Sequence, residues 1–102
     1  MSDGFKTHHT DQYLDGLPPS VREEVIDCAA VQAFADRMRF KLELARSKGR
    51  GGWHEPDSCG PAGKPTIQQE LSEMLREAVD KGDPVDVANF AMMLSMRDER
   101  IL

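Results

Sequence analysis

The sequence contains little of what several classes of protein require. Two cysteines, Cys28 and Cys59, in 102 residues are too few for a disulfide-stapled scaffold, and we expect one buried thiol in a helix and one thiol in a loop. Aromatic residues make up only 6% of the chain, which is few for a β-sandwich. No apolar run approaches the roughly 20 residues of a membrane span, and the polar start of the chain has no apolar signal core. We therefore expect a small soluble protein of the cytoplasm.

Basic residues are also in short supply. There are 13 Lys and Arg against 18 Asp and Glu, for a net charge of −5 at pH 7. This balance argues against nucleic-acid binding by overall charge and suits a basic protein partner. The length is enough for one domain and not for two.

The first of three predicted helices follows Pro18 and Pro19. Ser20 and Glu23 have the spacing of a capping box, in which each side chain satisfies a main-chain N–H of the first turn. Gly49 marks the end of the helix near Ser47 and Lys48, because glycine favours the positive φ that follows a helix. Its apolar stripe has helical spacing and comprises Cys28, Val31, Ala35, Met38, Leu42 and Ala45.

Two further helices are predicted in the second half of the chain. Thr66 and Gln69 form a second capping box, and Lys81 and Gly82 end that helix. The third helix begins with Asp83 as N-cap and Pro84 in the first helical position, and Arg97–Arg100 return the chain to solvent. The short joint makes the last two helices antiparallel neighbours.

The third helix is apolar on most sides from Val85 to Met96, which is more apolar surface than three helices can cover. The predicted fold is therefore all-α, a small helical bundle of three main helices completed by homodimerisation. Residues 1–17 are expected to form a flexible leader, and residues 18–102 a single helical domain with a Gly/Pro-rich loop at 49–65.

Acidic residues form the first candidate site. Glu70 and Glu73 share one helix face, with Glu77 one turn further on, and Asp83 and Asp86 repeat the spacing of three on the next helix. Carboxylates on facing helices could hold Mg²⁺, which takes oxygen ligands. The alternative is that these residues cap helices or favour the helix dipole at the surface.

The second candidate site is the start of the glycine-rich loop. Lys48 and Arg50 supply positive charge, Gly51 and Gly52 let main-chain N–H groups approach an anion, and Trp53 could stack on a base. These residues predict a pocket for phosphate and base. The alternative is a helix cap followed by a mobile loop, with Trp53 packed on the bundle.

Asn89 is the one amide within the apolar run of the third helix. A buried amide needs hydrogen-bond partners. It could bond across a dimer seam, or join Asp86 at a ligand site.

Two segments stand out together: Lys41 and Leu42 with Lys48–Trp53, and the run Lys81–Leu94. Together they resemble small phage and prophage proteins that are in turn similar to the MazG-like all-α nucleoside triphosphate pyrophosphohydrolases, and the resemblance covers about residues 38–97. It implies a helical, oligomeric, Mg²⁺-dependent enzyme that releases pyrophosphate. Glu70 with Glu73 would stand for the first acidic pair of that family, and Asp83 with Asp86 for the second.

The second pair departs from the family pattern, because its first acid is Asp and is followed by Pro84. We therefore expect a non-enzymatic phage or prophage accessory protein, without a committed catalytic residue or cofactor. It would bind a host protein, such as a component of bacterial defence, or a nucleotide. The alternative is a Mg²⁺-dependent pyrophosphohydrolase, with the four acids on the metal and Lys48 and Arg50 on the phosphates.

Overall fold

A computed structural model describes residues 14–57 and 63–102. Within these residues the chain forms three α-helices and no β-strand: α1 (Pro19–Ser47), α2 (Ile67–Lys81) and α3 (Pro84–Met96). The predicted all-α fold with three main helices is confirmed. None of the three helices is long and apolar enough to cross a membrane.

The ends of α2 follow the predicted capping chemistry. The Thr66 hydroxyl accepts from Gln69 N at 3.1 Å, and the Gln69 side chain accepts from Thr66 N at 2.8 Å, so two N–H groups of the first turn are satisfied. At the other end Gly82 takes a φ of 72°, a conformation that costs glycine little. A sharp turn at this position allows the chain to reverse directly into α3.

The start of α3 is fixed by one carboxylate. Asp83 Oδ1 accepts from Val85 N at 3.0 Å and from Asp86 N at 3.1 Å, and Pro84 occupies the first turn. Proline suits this position because an N–H group there would have no partner within the helix, so its absence costs nothing. The predicted N-cap is confirmed.

The hydrophobic core lies between α2 and α3. Leu71 and Leu75 of α2 pack with Met93 and Leu94 of α3, and Leu94 is only 1% exposed. Because the end of α3 packs on the first half of α2, the two helices form the predicted antiparallel pair. The half-buried residues around this cluster include Leu42, Trp53, Ile67, Val87, Phe90, Ala91 and Met92.

The structure corrects the predicted start of α1. The helix begins at Pro19, and Arg22 N donates to the Pro18 carbonyl. Ser20 therefore lies inside the first turn and cannot be the N-cap of a capping box with Glu23. Proline is well suited to the first helical position, so the helix starts two residues earlier than a Ser20 N-cap would place it. Its predicted end at Ser47, followed by Gly49 with a φ of 79°, is confirmed.

Several predictions of burial are wrong. Cys28 is exposed rather than buried, as is Val31 of the same stripe. In α3 only Asn89, Met93 and Leu94 are fully buried, and Met96 is 68% exposed. The predictions for the α1 stripe and the α3 apolar run use helical spacing alone. Spacing shows which residues share a helix face, but it does not show how much of that face the neighbouring elements cover.

The chain divides into two compact units, Met1–Arg37 and Met38–Leu102. In the first unit Leu14 is buried, Leu17 N donates to the Leu14 carbonyl, and Arg22 pairs with Asp15 at 3.1 Å. Residues 14–17 thus form a turn with a buried leucine, and the flexible leader over residues 1–17 stays a prediction. Residues 1–13 of that leader, and Cys59, lie outside the described residues.

Candidate functional site

Two of the four predicted metal ligands meet a lysine. Lys41 Nζ lies 3.1 Å from Asp83 Oδ2 and 3.5 Å from Asp86 Oδ1. The hydrogen bond to Asp83 and the charge of Asp86 raise the pKa of Lys41. The Asp86 main-chain N–H, followed by the Lys41 ammonium, lowers the pKa of Asp83. All three side chains are between 30% and 38% exposed, so solvent screens the ion pairs.

The other predicted ligands lie apart from this ion pair. Glu70, Glu73 and Glu77 are exposed on α2. In residues 14–57 and 63–102, no three His, Cys, Asp or Glu side chains are placed to hold a metal ion. Magnesium binding by Glu70, Glu73, Asp83 and Asp86 stays a prediction, and it would require a different arrangement of these side chains.

Glu73 and Glu77 do share a surface feature. They line a shallow groove of about 470 Å³ along α2, together with Asp80 and Arg76. Leu102 forms part of the groove wall.

The chain after α3 is held along α2 by three side chains spaced four residues apart. Gln68 donates to the Arg100 carbonyl at 2.9 Å, and the Ser72 hydroxyl accepts from Leu102 N at 3.0 Å. Arg76 donates to the Leu102 main-chain oxygen at 2.8 and 2.5 Å. The spacing of four places these side chains on one helix face, but polar residues on a helix surface carry no sign of what they contact, so sequence reasoning missed them.

Arg97 is the most connected side chain that the sequence prediction overlooked. It was expected in solvent, yet its side chain is only 10% exposed. Its Nη1 donates to the main-chain carbonyls of Trp53 at 2.8 Å and Glu55 at 2.6 Å. Its Nε donates to Glu99 at 2.6 Å and its Nη2 lies 3.5 Å from Asp57, and the Glu99 hydrogen bond raises the pKa of Arg97.

These contacts fix the segment that follows α1. The Asp57 carboxylate also accepts from Ile67 N at 2.8 Å, at the start of α2. The segment 53–57 is therefore attached to the end of α3 through Arg97 and to the beginning of α2 through Asp57.

Residues 48–54, which follow the end of α1, form the glycine loop. Gly49 and Gly52 have φ angles of 79° and 83°. Arg50 N donates back to the Ala45 carbonyl, and Glu55 N donates to the Gly52 carbonyl. The main-chain N–H groups of Gly51, Gly52, Trp53 and His54 make no hydrogen bond to any described residue.

The peptide between Trp53 and His54 has a defined orientation. It is trans, like every described peptide bond, so its C=O and N–H point in opposite directions. Because the Trp53 carbonyl is bound by Arg97, the His54 N–H faces away from that guanidinium. Lys48 and Arg50 are exposed on the same short loop, so donors and positive charge occur together.

Trp53 packs on the hydrophobic core and is only partly exposed. It is half-buried and packs against the hydrophobic cluster, and the His54 ring meets it edge-on at 5.5 Å. This matches the alternative in which Trp53 lies on the bundle. Stacking on a base would involve only its exposed part.

Asn89 makes a contact that neither expected arrangement includes, and its bond across a dimer seam stays a prediction. Its amide nitrogen donates to the Met38 carbonyl of α1 at 3.2 Å, within one chain. The residue is 4% exposed and its Oδ1 has no hydrogen-bond partner in the described part of the chain. Asn89 thus fixes α3 to α1 by a buried side-chain hydrogen bond.

The geometry defines a small all-α protein with a clamped glycine loop and an ion pair between helices. No protein-family model matches the chain, and the comparisons with curated proteins and with solved structures gave no match.

Proposed function

We propose that the protein is a non-enzymatic accessory protein that binds a phosphate-bearing ligand, such as a nucleotide, at the glycine loop. The observation that carries the proposal is the set of four successive N–H groups, from Gly51 to His54, that make no hydrogen bond within residues 14–57 and 63–102. Successive main-chain donors of this kind bind anions.

The charges around the loop support an anion of moderate charge. Lys48 and Arg50 attract phosphate from the exposed side of the loop. The negative charge of Glu55 opposes these two positive charges. Its side chain lies beside Gly52, since a Cβ added to Gly52 would lie 3.8 Å from Glu55 Cγ. We therefore expect the main-chain donors to contribute more to affinity than the side-chain charges, and a monophosphate to be tolerated as well as a triphosphate.

Titration of the ¹⁵N-labelled protein with inorganic phosphate, AMP and ATP tests this proposal. The amide signals of Gly51–His54 should shift, and the variant Lys48→Glu, Arg50→Glu should weaken binding by about tenfold, since two phosphate-facing charges are reversed. The matched control is Lys64→Glu, Lys81→Glu, which changes the charge equally at two other exposed lysines. Unmoved loop amides, or equal losses in both variants, would overturn the proposal. Shifts with the nucleotides but not with free phosphate would identify a nucleotide as the ligand.

A pyrophosphohydrolase remains the second candidate, favoured by the groove that brings Glu73 and Glu77 together. In that reaction water attacks the α-phosphorus and pyrophosphate leaves. Chromatography of a nucleotide panel after incubation with Mg²⁺ or Mn²⁺ tests it, with Asp86→Ala as the control. Monophosphate and pyrophosphate formed only by the unchanged protein would establish the enzyme, whereas an unchanged panel would exclude this reaction for the nucleotides tested.

The biological setting belongs to the same proposal. A phage or prophage origin, a cytoplasmic location and a host-protein partner rest on the resemblance in residues 38–97 and on the net charge of −5. Pull-down from a bacterial host, compared between the unchanged protein and the loop variant, would separate a ligand-dependent partner from a ligand-independent one.

A further inference from the structure

Arg97 holds the peptide that carries one of the four unbonded donors of the glycine loop. Its Nη1 donates to the Trp53 carbonyl at 2.8 Å and to the Glu55 carbonyl at 2.6 Å. The Trp53 carbonyl and the His54 N–H belong to one trans peptide, so they point in opposite directions. The hydrogen bond that fixes the direction of the carbonyl therefore also fixes the direction of the N–H.

Side-chain packing alone does not select this orientation of the peptide. The Trp53 indole packs against the hydrophobic cluster, and the His54 ring meets it edge-on at 5.5 Å. Rotation of a rigid peptide plane about the line between its two Cα atoms exchanges C=O and N–H while the side chains keep their places. In the described part of the chain, Arg97 makes the one hydrogen bond to this peptide, so Arg97 distinguishes the two orientations.

Arg97 has no surplus charge with which to attract an anion directly. Its Nε donates to Glu99 at 2.6 Å and its Nη2 lies 3.5 Å from Asp57. Its side chain is only 10% exposed. Two carboxylates outweigh one guanidinium, so the three charges together repel a phosphate group. A contribution of Arg97 to phosphate binding must therefore come from orientation.

We propose that Arg97 is a positioning residue for anion binding, because its bond to the Trp53 carbonyl holds the His54 N–H towards the bound phosphate group. The inference rests on the proposed function of the glycine loop. Without Arg97 the peptide is free to rotate, and a carbonyl oxygen that faces the phosphate repels it. The effect is reciprocal, since an anion on the N–H polarises the peptide and strengthens the bond from its carbonyl to Arg97.

A titration of the unchanged ¹⁵N-labelled protein with inorganic phosphate tests the reciprocal effect. The Arg97 Nε–H signal should shift along the same binding curve as the His54 amide, because both groups respond to polarisation of one peptide. Arg100, an exposed arginine three residues away, is the internal control, and its Nε–H signal should not follow that curve. Loop amides that shift while the Arg97 signal stays in place would overturn the positioning role. Loop amides that do not shift would overturn the proposed function, and this inference with it.

A second titration removes the arginine without changing the net charge. Arg97→Ala, Glu99→Ala leaves the summed charge beside the loop unchanged. It should weaken phosphate binding by about tenfold, since one hydrogen bond to a charged group is no longer oriented. The His54 amide should lose most of its response, whereas the Gly51 amide should still shift.

Arg100→Ala, Glu70→Ala is the matched control, because it removes two opposite charges that are exposed elsewhere. It should bind phosphate as the unchanged protein does. An Arg97→Ala, Glu99→Ala variant that keeps full affinity and the His54 response, or a control that loses as much, would overturn the positioning role. Circular dichroism shows whether the helices remain. If the variant loses them, the titration of the unchanged protein decides the question.

Discussion

At the scale of single residues, the loop after α1 is held by Arg97, a side chain that no sequence pattern distinguishes. Arg97 follows the last turn of α3 within a short run of charged residues, a position typical of solvated side chains. Its partners are main-chain carbonyls of a loop more than forty residues earlier. Contacts of that range depend on how helices pack, which local spacing does not encode.

Replacing Arg97 should release the loop while the helices remain. Arg97→Ala leaves the carbonyls of Trp53 and Glu55 without their donor, and Arg97→Lys restores the charge but not the planar fork. Trp53 is the only tryptophan, so its fluorescence reports the loop directly. We expect a red-shifted emission and stronger acrylamide quenching in both variants, with smaller changes for Lys.

Circular dichroism provides the control for this experiment. The helix signal should stay within a few per cent of the unchanged protein. If Trp53 emission does not change in Arg97→Ala, packing of the indole ring alone holds the loop.

At the scale of elements, the sequence specified the α2–α3 pair well and α1 less well. Thr66, Gly82 and Asp83 act on N–H and C=O groups within a few residues, so their chemistry can be recognised from spacing alone. At the start of α1 two signals compete one residue apart, and the proline at position 19 prevails over the serine at position 20. The burial of α1 side chains could not be inferred in the same way, because it depends on the other helices.

Asp83 gives α3 a predictable response to pH. Its pKa is lowered in the folded protein, so its stabilising contribution is present above the unfolded value of about 3.9. That contribution is lost as the pH falls through the lower folded value. Lys41 has a raised pKa, so its contribution is present below about 10.4 and is lost as the pH rises through the folded value.

Two substitutions separate the cap from the ion pair. Asp83→Ala removes both and should lower the melting temperature by about 4–8 °C near neutral pH. Asp83→Asn keeps a good N-cap but no charge, so it should cost less and flatten the loss of stability in acid. Thermal unfolding from neutral to acidic pH measures both effects. If Asp83→Asn loses stability at acidic pH as steeply as the unchanged protein, other carboxylates cause that loss.

At the scale of the whole molecule, the candidate sites show why pattern alone is insufficient. The spacing of Glu70 and Glu73 places that pair on one face of α2, whereas Asp83 is the N-cap of α3 and only Asp86 lies within the helix. Whether the two pairs converge depends on the rotation of α2 and α3 about their axes. The core positions Leu71, Leu75 and Leu94 determine that rotation, and they leave the glutamates outside the core while Lys41 engages the aspartates.

The same small core makes the fold sensitive to a single buried leucine. In the described residues the fully buried hydrophobic side chains of the unit Met38–Leu102 are Leu71, Leu75, Ala78, Met93 and Leu94. Leu94→Ala removes the most buried of them and should lower the free energy of unfolding by about 2–5 kcal/mol. A domain of this size has a stability of only about 5–15 kcal/mol.

Urea denaturation followed by the helix signal measures this change, with Met96→Ala as the matched control. Met96 lies two residues further along α3 and is 68% exposed, so its truncation should change stability by less than about 0.5 kcal/mol. Similar losses in the two variants would mean that Met96 is covered in solution. A large loss for Leu94→Ala alone would leave the core between α2 and α3 as the main source of stability in the unit Met38–Leu102.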